Sequence, residues 1–333
     1  MFKQVLLSSI SLFIFFHSIV AQHVKELNNN GESSLRGLSV VDDHVLWVSG
    51  SKGSVGKSTD GGLTWKWMIV KGYENAEFRD IEAFSKNTAI IMSIAEPAYI
   101  LKTTNGGKRW KKVYENNKSG IFLDAMEFSD FKTGYVVGDP LNGLFFIAKT
   151  IDGGNSWNEI SPNLLAKSDS AEACFASSGT NIRMITKDQF AFVSGGSVSN
   201  LVIGVNKIKL PIIQGKNSTG ANSFAVKDST TFIVVGGDFI DLTAMPNCIL
   251  TYDGGKTWNF PSKSPSGYKS CVEYIAENIW ISCGLSGVDI SLDNGFTWKQ
   301  ISQESYHTCR KAKYGKSVYF SGNKSRIGKL NFE

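Results

Sequence analysis

Five stretches of this 333-residue chain put a carboxylate or amide, a hydroxyl, glycine and tryptophan at one spacing: "STDGGLTW" at 58, "TTNGGKRW" at 103, "TIDGGNSW" at 150, "TYDGGKTW" at 251 and "SLDNGFTW" at 291. Two chemistries come to mind for Asp60, Asn105, Asp152, Asp253 and Asp293: metal ligation and acid–base catalysis. Neither fits. A calcium loop needs several oxygen ligands at alternate positions and a distant Glu, whereas each stretch offers one carboxylate. Identical groups on separate repeats stand around a ring, too far apart to meet on one substrate. The residues suit a turn better. The Ser/Thr and Asp side chains bond turn amides, and the glycines take positive φ. Trp65, Trp110, Trp157, Trp258 and Trp298 then each start a strand and wedge between sheets.

The spacing of these boxes sets the architecture. Their third positions are separated by 45, 47, 101 and 40 residues, so the long gap holds two periods and a fourth unit without a box, near "VIGVNKIKLP" at 202 to 211. Each unit repeats an alternating strand, a polar turn, an apolar strand, a short third strand, the box and a last strand. Four strands in about 45 residues is the period of a β-propeller blade. After the last box come three more strands, "YHTCRKAKY", "KSVYFSG" and "RIGKLNF". The segment "QHVKEL" at 22 to 27 supplies the missing fourth, so the expected fold is an all-β, seven-bladed propeller closed by its N-terminal strand. Closure would remove the open sheet edges. The expected domains are a signal peptide over 1–21 and one propeller over 22–333.

Within that frame the inner strand of each blade lines a central channel, and polar residues there are the candidates for chemistry. Alignment of the blades puts Arg36 of "LRGLSV", Arg79 of "FRDIEA" and Ser270 of "KSCVEY" at one position, with Asp124 of "LDAMEF" fitting if its hairpin is longer. Arg310 of "CRKAK" falls two residues away on the same strand face. Three arginines at one channel end would bind an anionic ligand or an acidic partner surface, since guanidinium forks take carboxylates and phosphates bidentately. The alternative is that they pair with Asp80, Glu82, Asp124, Glu127, Glu172 or Glu273 and tie blades together. Two irregular segments, 138–146 and 161–181, are candidate binding rims because loops on rigid scaffolds carry function.

The five stretches resemble the Asp-box, or bacterial neuraminidase repeat, of sialidases, sortilin-type receptors and the photosystem II assembly and stability factor family. Asn105 and Arg109 in the second box are departures from that pattern. The layout of short blades and little else is most similar to the photosystem assembly type. That resemblance implies a non-enzymatic module that binds a protein or helps assemble a complex. The sialidase side of the resemblance implies an alternative, an exported glycoside hydrolase with Asp124, Glu172 and Tyr306 as candidate catalytic groups and Asp139 as a further acid. Against it, Arg36 is followed by Gly-Leu where a sialidase carries Arg-Ile-Pro.

Composition narrows the remaining classes. Lys3, a mostly apolar run from Val5 to Val20 and Ala21 read as an export signal cut after Ala21, too short and Ser-rich for a membrane span. The mature chain is therefore expected to be secreted or periplasmic, without a membrane span, and monomeric. Its 34 basic and 30 acidic residues are spread along the chain, which gives no nucleic-acid footprint. No cofactor motif appears: "GKS" at 56 to 58 lacks the earlier Gly of a phosphate loop, and the three remaining His have no metal-ligand spacing. The five Cys, odd in number, read as buried free thiols; Cys271 and Cys283 are symmetric about Glu277 and could alternatively face each other across a hairpin.

Overall fold

A computed structural model describes residues 22–27 and 30–332. The expected signal peptide, residues 1–21, lies outside the described residues. The described residues form seven antiparallel sheets arranged as propeller blades, and the helical content among them is two 3-10 turns, Pro162–Leu164 and Asn323–Ser325. Blade 1 runs from the inner strand Leu35–Val40 through Leu46–Gly50 and Ser54–Ser58 to the outer strand Lys66–Ile69. The inner strands of blades 2 to 7 are Phe78–Ala83, Leu123–Phe128, Ile182–Thr186, Thr219–Val226, Cys271–Ala276 and Thr308–Lys311.

Burial follows position in the blade. The second strands Leu46–Gly50 and Ala89–Ser93 are buried at every residue because neighbouring blades cover both faces. This is why "LWVSG" and "AIIMS" carry no polar alternation. The outermost strands face solvent, as in Lys66–Ile69, which has no fully buried residue. The apolar clusters accordingly lie between blades: Ile90, Met92 and Ile100 of blade 2 pack with Val136, Phe146 and Trp157 of blade 3.

The ring closes through the N-terminus. Gln22–Leu27 pairs antiparallel with Ile327–Phe332, from Gln22 opposite Phe332 to Leu27 opposite Ile327. Blade 4 has no box: its third and fourth strands, Asn200–Ile203 and Asn206–Lys209, are joined by Gly204–Val205, with Gly204 at φ +61°. Blade 5 departs in the other direction. Its outer strand shrinks to a bridge between Leu250 and Asn259, while Glu172–Ala173 and Gly195–Gly196 are added on its inner side. The segment 138–146 is part of an elongated hairpin rather than an irregular loop: Gly134–Leu141 pairs with Leu144–Thr150 across Asn142–Gly143.

Candidate functional site

The Asp-boxes are hydrogen-bonded turns. In the first, Ser58 Oγ accepts from the Gly62 amide at 2.9 Å and donates to Asp60 Oδ1 at 2.8 Å; Asp60 also accepts from the Thr64 amide at 2.9 Å and hydroxyl at 2.5 Å. Blades 3, 5 and 6 repeat this network around Asp152, Asp253 and Asp293. Hydrogen bonds from the Thr257 hydroxyl and amide hold the Asp253 carboxyl at about 2. In the second box Asn105 keeps the amide-accepting oxygen, bonded to Arg109 N at 2.9 Å, and the hydroxyl donor is lost together with the second carboxylate oxygen. Trp65 and Trp298 donate from Nε1 to Gly62 O and Gly295 O, both at 3.1 Å, whereas Trp110, Trp157 and Trp258 have no partner for that N–H. Trp298 and Trp157 are buried, and Trp65, Trp110 and Trp258 are half-buried.

The inner strands run from one channel mouth to the other, and the chain itself fills the space between. The segment expected to form a rim lines one mouth with Ala173 to Ser177, and its residues Phe175 to Asn181 also cross the channel. Ser178 Oγ donates to Ser270 O in blade 6 at 2.7 Å, and Thr308 Oγ1 in blade 7 donates back to Ser178 O at 3.1 Å. Thr180 Oγ1 donates to Ser223 Oγ in blade 5 at 2.7 Å. Gly179, at φ +65°, lies against Asp80 of blade 2, where an added Cβ would sit 2.3 Å from Asp80 Oδ1. Only glycine fits there. This plug divides the channel into two mouths.

The first mouth opens at the start of the inner strands as a cavity of 440 Å³. Arg36, Arg79 and Ser270, aligned in sequence, all line it, with Asp139, Tyr268 and His307. Arg36 Nη1 donates to the plug carbonyl Ser177 O at 3.2 Å, and burial together with the nearby Arg79 lowers its pKa. Arg79 Nε is shielded from solvent without a hydrogen-bond partner, and Arg79 forms no ion pair among the described residues. Burial and both arginines press His307 down to about 3, so it is neutral at physiological pH. Phe122, Phe175, Phe239 and Leu285 supply apolar walls, with Phe175 edge-on to Phe239 at 5.9 Å.

The second mouth, a cavity of 590 Å³, is lined by more charged residues than the first, and Arg183 and Lys313 are already paired there. Arg183 reaches Glu127 at 3.2 Å and Glu273 at 2.9 Å. Lys313 pairs with Glu82, and the Lys311 amide donates to Glu273 Oε1 at 3.3 Å. Burial raises Glu127 and Glu273, opposed by Arg183. Arg310 lines this cavity and not the first. Its Nη2 donates to Gly179 O at 2.9 Å and Ser178 O at 3.3 Å, from below the plug. Two of the three arginines therefore share a mouth and the third braces the barrier between them. The offset of two residues along the strand is enough to put it on the far side.

The candidate catalytic groups are dispersed. Asp124 is wholly buried on the blade 3 inner strand, and burial with the neighbouring Asp139 pushes it well above the carboxylate range, against the pull of Arg79. Asp139 lines the first mouth, accepts from the Cys174 amide at 2.8 Å and is raised by burial to about 6. Glu172 is spent in structure: Ser194 Oγ at 2.5 Å and Asn200 Nδ2 at 2.7 Å bond one oxygen, Lys207 Nζ at 2.6 Å and the Asp169 amide at 2.7 Å the other. Tyr306 is 1% exposed and packs on Phe320 in the cluster between blades 6 and 7. None of Asp124, Glu172 and Tyr306 lines any of the cavities described. Sequence reasoning missed the plug carbonyls as arginine partners, and it missed that Cys309 joins Cys271 and Cys283 in one buried group.

Residues 18–120, which hold the first two blades, match the family described as photosynthesis system II assembly factor YCF48. The whole ring matches solved propellers. A structure described as YCF48 bound to D1 peptide superimposes with a TM-score of 0.65 at 14% identity, covering 96% of this chain and 99% of that one. YCF48 from Cyanidioschyzon merolae gives 0.66 at 15% identity over 93% and 99%. This chain is an Asp-box propeller resembling the photosystem II assembly factors. The propeller fold is wider than that family: the WD40 β-propeller domain of Doa1 matches with a TM-score of 0.63 at 14% identity over 96% and 98%. No curated protein gives a significant match to the sequence. Among the described residues no helix is long and apolar enough to cross a membrane.

Proposed function

We propose that the protein is a non-enzymatic binding propeller whose first mouth captures an anionic group, a carboxylate, on an extended segment of a partner protein. The observation that carries this reading is Arg79, a guanidinium in a cavity wall that makes no ion pair among the described residues and whose Nε has no hydrogen-bond partner, beside an Arg36 held by one carbonyl. A cation left unpaired in a shielded pocket favours an incoming anion that the same residue would reject if already paired. Phe175, Phe239 and Leu285 offer the apolar surface that seats neighbouring side chains, and the plug closes the floor, so a ligand enters from one side. A protein of similar fold is described as bound to a peptide, which is the kind of ligand this mouth suits.

The reading also includes export, with the leader removed after Ala21, and action as a monomer. Gln22 opens the strand that closes the ring, which is consistent with a cut just before it. N-terminal sequencing of the exported protein should begin at Gln22; a chain that still begins at Met1 would overturn that part.

The mouth is tested with an array of peptides displayed either as free acids or as C-terminal amides. Free-acid peptides should bind, amides should bind at least tenfold more weakly, and Arg79→Ala should remove the difference, because a hydrogen bond to a charged group contributes about 1.5 to 3 kcal/mol. Equal binding of acid and amide forms would sink the proposal. So would turnover of a fluorogenic sialoside abolished by Arg79→Ala, which would put a hydrolase at this mouth.

A further inference from the structure

Three of the five cysteines meet at the inner edge where blade 6 joins blade 7. Cys271 opens the inner strand of blade 6, Cys283 stands directly opposite it on the second strand, and Cys309 lies on the inner strand of blade 7. All three are fully buried, their sulfurs lie within 4.8 Å of one another, and Cys271 Sγ is 3.5 Å from Cys309 Sγ. The other two, Cys174 and Cys248, are also buried but sit in other clusters.

The three thiols belong to the apolar cluster between blades 6 and 7, and their sulfurs are close enough together to share one metal ion. Three thiolates holding one ion at about 2.3 Å stand about 4 Å apart. Polar groups also face one of the three sulfurs. The Cys309 amide donates to Cys271 Sγ at 3.3 Å, and the Arg310 guanidinium stands 3.9 Å from the same atom. We propose that Cys271, Cys283 and Cys309 form a trigonal site for a single soft d10 cation, Cu(I). Thiolates select Cu(I) and Zn(II) over harder ions. Structural Zn(II) almost always takes four ligands, and this cluster presents three sulfurs with no histidine or carboxylate among them. Arg310 offsets part of the negative charge that three thiolates and one monovalent ion leave behind, which a buried site requires.

The site would also staple the last two blades beside the closing strand, so loading should stabilise the ring. Anything that binds the folded state alone does so by mass action.

The test uses the full mature chain, reduced and handled without oxygen, and supplies Cu(I) both to the folded protein and during refolding, since a buried site loads poorly once closed. One equivalent of Cu(I) should be retained against a competing chromogenic Cu(I) chelator, with a thiolate-to-metal charge-transfer band and a raised Tm. Cys271→Ser and Cys283→Ser should each lower the retained copper at least tenfold, while Cys174→Ser should not; circular dichroism separates loss of the site from loss of fold. Should Cys271→Ser unfold, Cys283→Ser and the wild-type Tm shift still decide. No retention after refolding with Cu(I), retention unaffected by both substitutions, or tight Zn(II) binding without Cu(I) binding would overturn the proposal. A protein isolated with a Cys271–Cys309 disulfide, two mass units light and unable to bind copper until reduced, would equally overturn it in favour of a covalent staple.

Discussion

The two mouths of the channel differ in how far their cations are already committed. At the second mouth Arg183 is bracketed by Glu127 and Glu273, Lys313 is tied to Glu82, and Arg310 spends its guanidinium on Ser178 O and Gly179 O. At the first, Arg36 holds one carbonyl and Arg79 nothing charged, while the nearest carboxyls, Asp124 and Asp139, are pushed toward their neutral forms by burial. The difference lies in where the acids stand. Glu127 and Glu273 end in a mouth with Arg183 between them, and its charge opposes the upward pull of burial on both. Asp124 sits inside the blade, where no partner reaches either oxygen in hydrogen-bond geometry. A guanidinium in an ion pair holds blades together, and one outside any ion pair is available to a ligand.

Truncating the two arginines should break this comparison most visibly. Arg183→Ala removes the cation that bridges the half-buried Glu127 and Glu273, leaving Arg310 as the other cation acting on both, and should cost about 1 to 3 kcal/mol. Arg79→Ala removes a cation with no partner and should change stability by about 0.5 kcal/mol or less. Paired urea unfolding curves check this. Equal losses would show that Arg79 is a structural ion after all.

The plug keeps the mouths distinct, and Gly179 is its tightest point. Gly179→Ala forces a side chain into a positive-φ position and onto the Asp80 carboxylate, so it should cost about 1 to 3 kcal/mol. Gly204→Ala, also at positive φ but with open space around it, should cost only the backbone part, about 1 kcal/mol. A similar loss at both sites, read from thermal melts, would mean that the plug yields easily and that the two mouths communicate.

Local chemistry was legible and long-range threading was not. Each Asp-box joins a turn to a tryptophan at fixed spacing, so the blades could be counted from sequence, and the blade without a box was found from the doubled gap. Arg36 and Arg79 were placed together because blade alignment is itself a local comparison. Arg310 was misplaced because residues 175–181 enter the channel from a segment that reads as a variable connection, and nothing in "FASSGTN" announces which blades its hydroxyls will bond. Glu172 fails as a catalyst for the same reason: Ser194, Asn200 and Lys207 arrive from 22, 28 and 35 residues further on. The thiol group was half visible. The Cys271–Cys283 pairing follows from hairpin symmetry, and Cys309 joins it only through contact between neighbouring blades.

The smallest expected effect is the most specific to the first mouth. Asp139 titrates near 6, so above that pH it places a negative charge in the cavity shared by Arg36 and Arg79, and below it the charge is gone. A peptide carboxylate, with a pKa of about 3.3 to 3.7, stays ionised throughout. Affinity for the free-acid peptide should therefore rise as pH falls from 7.5 to 5, by about threefold to tenfold for a screened charge a few ångströms away. The other groups facing the cavity stay fixed: His307 is neutral down to about 3, Tyr268 is pushed up to about 12 and the Cys174 thiol is raised further. Stability should move in the same sense. The folded value of Asp139 lies above the unfolded 3.8, so its contribution is complete below 3.8 and is lost as pH rises through about 6. Asp139→Asn should flatten both profiles. A pH slope that survives in Asp139→Asn would instead assign the titration to Asp124, the deeper acid behind Arg79, and a second substitution, Asp124→Asn, would then have to remove it.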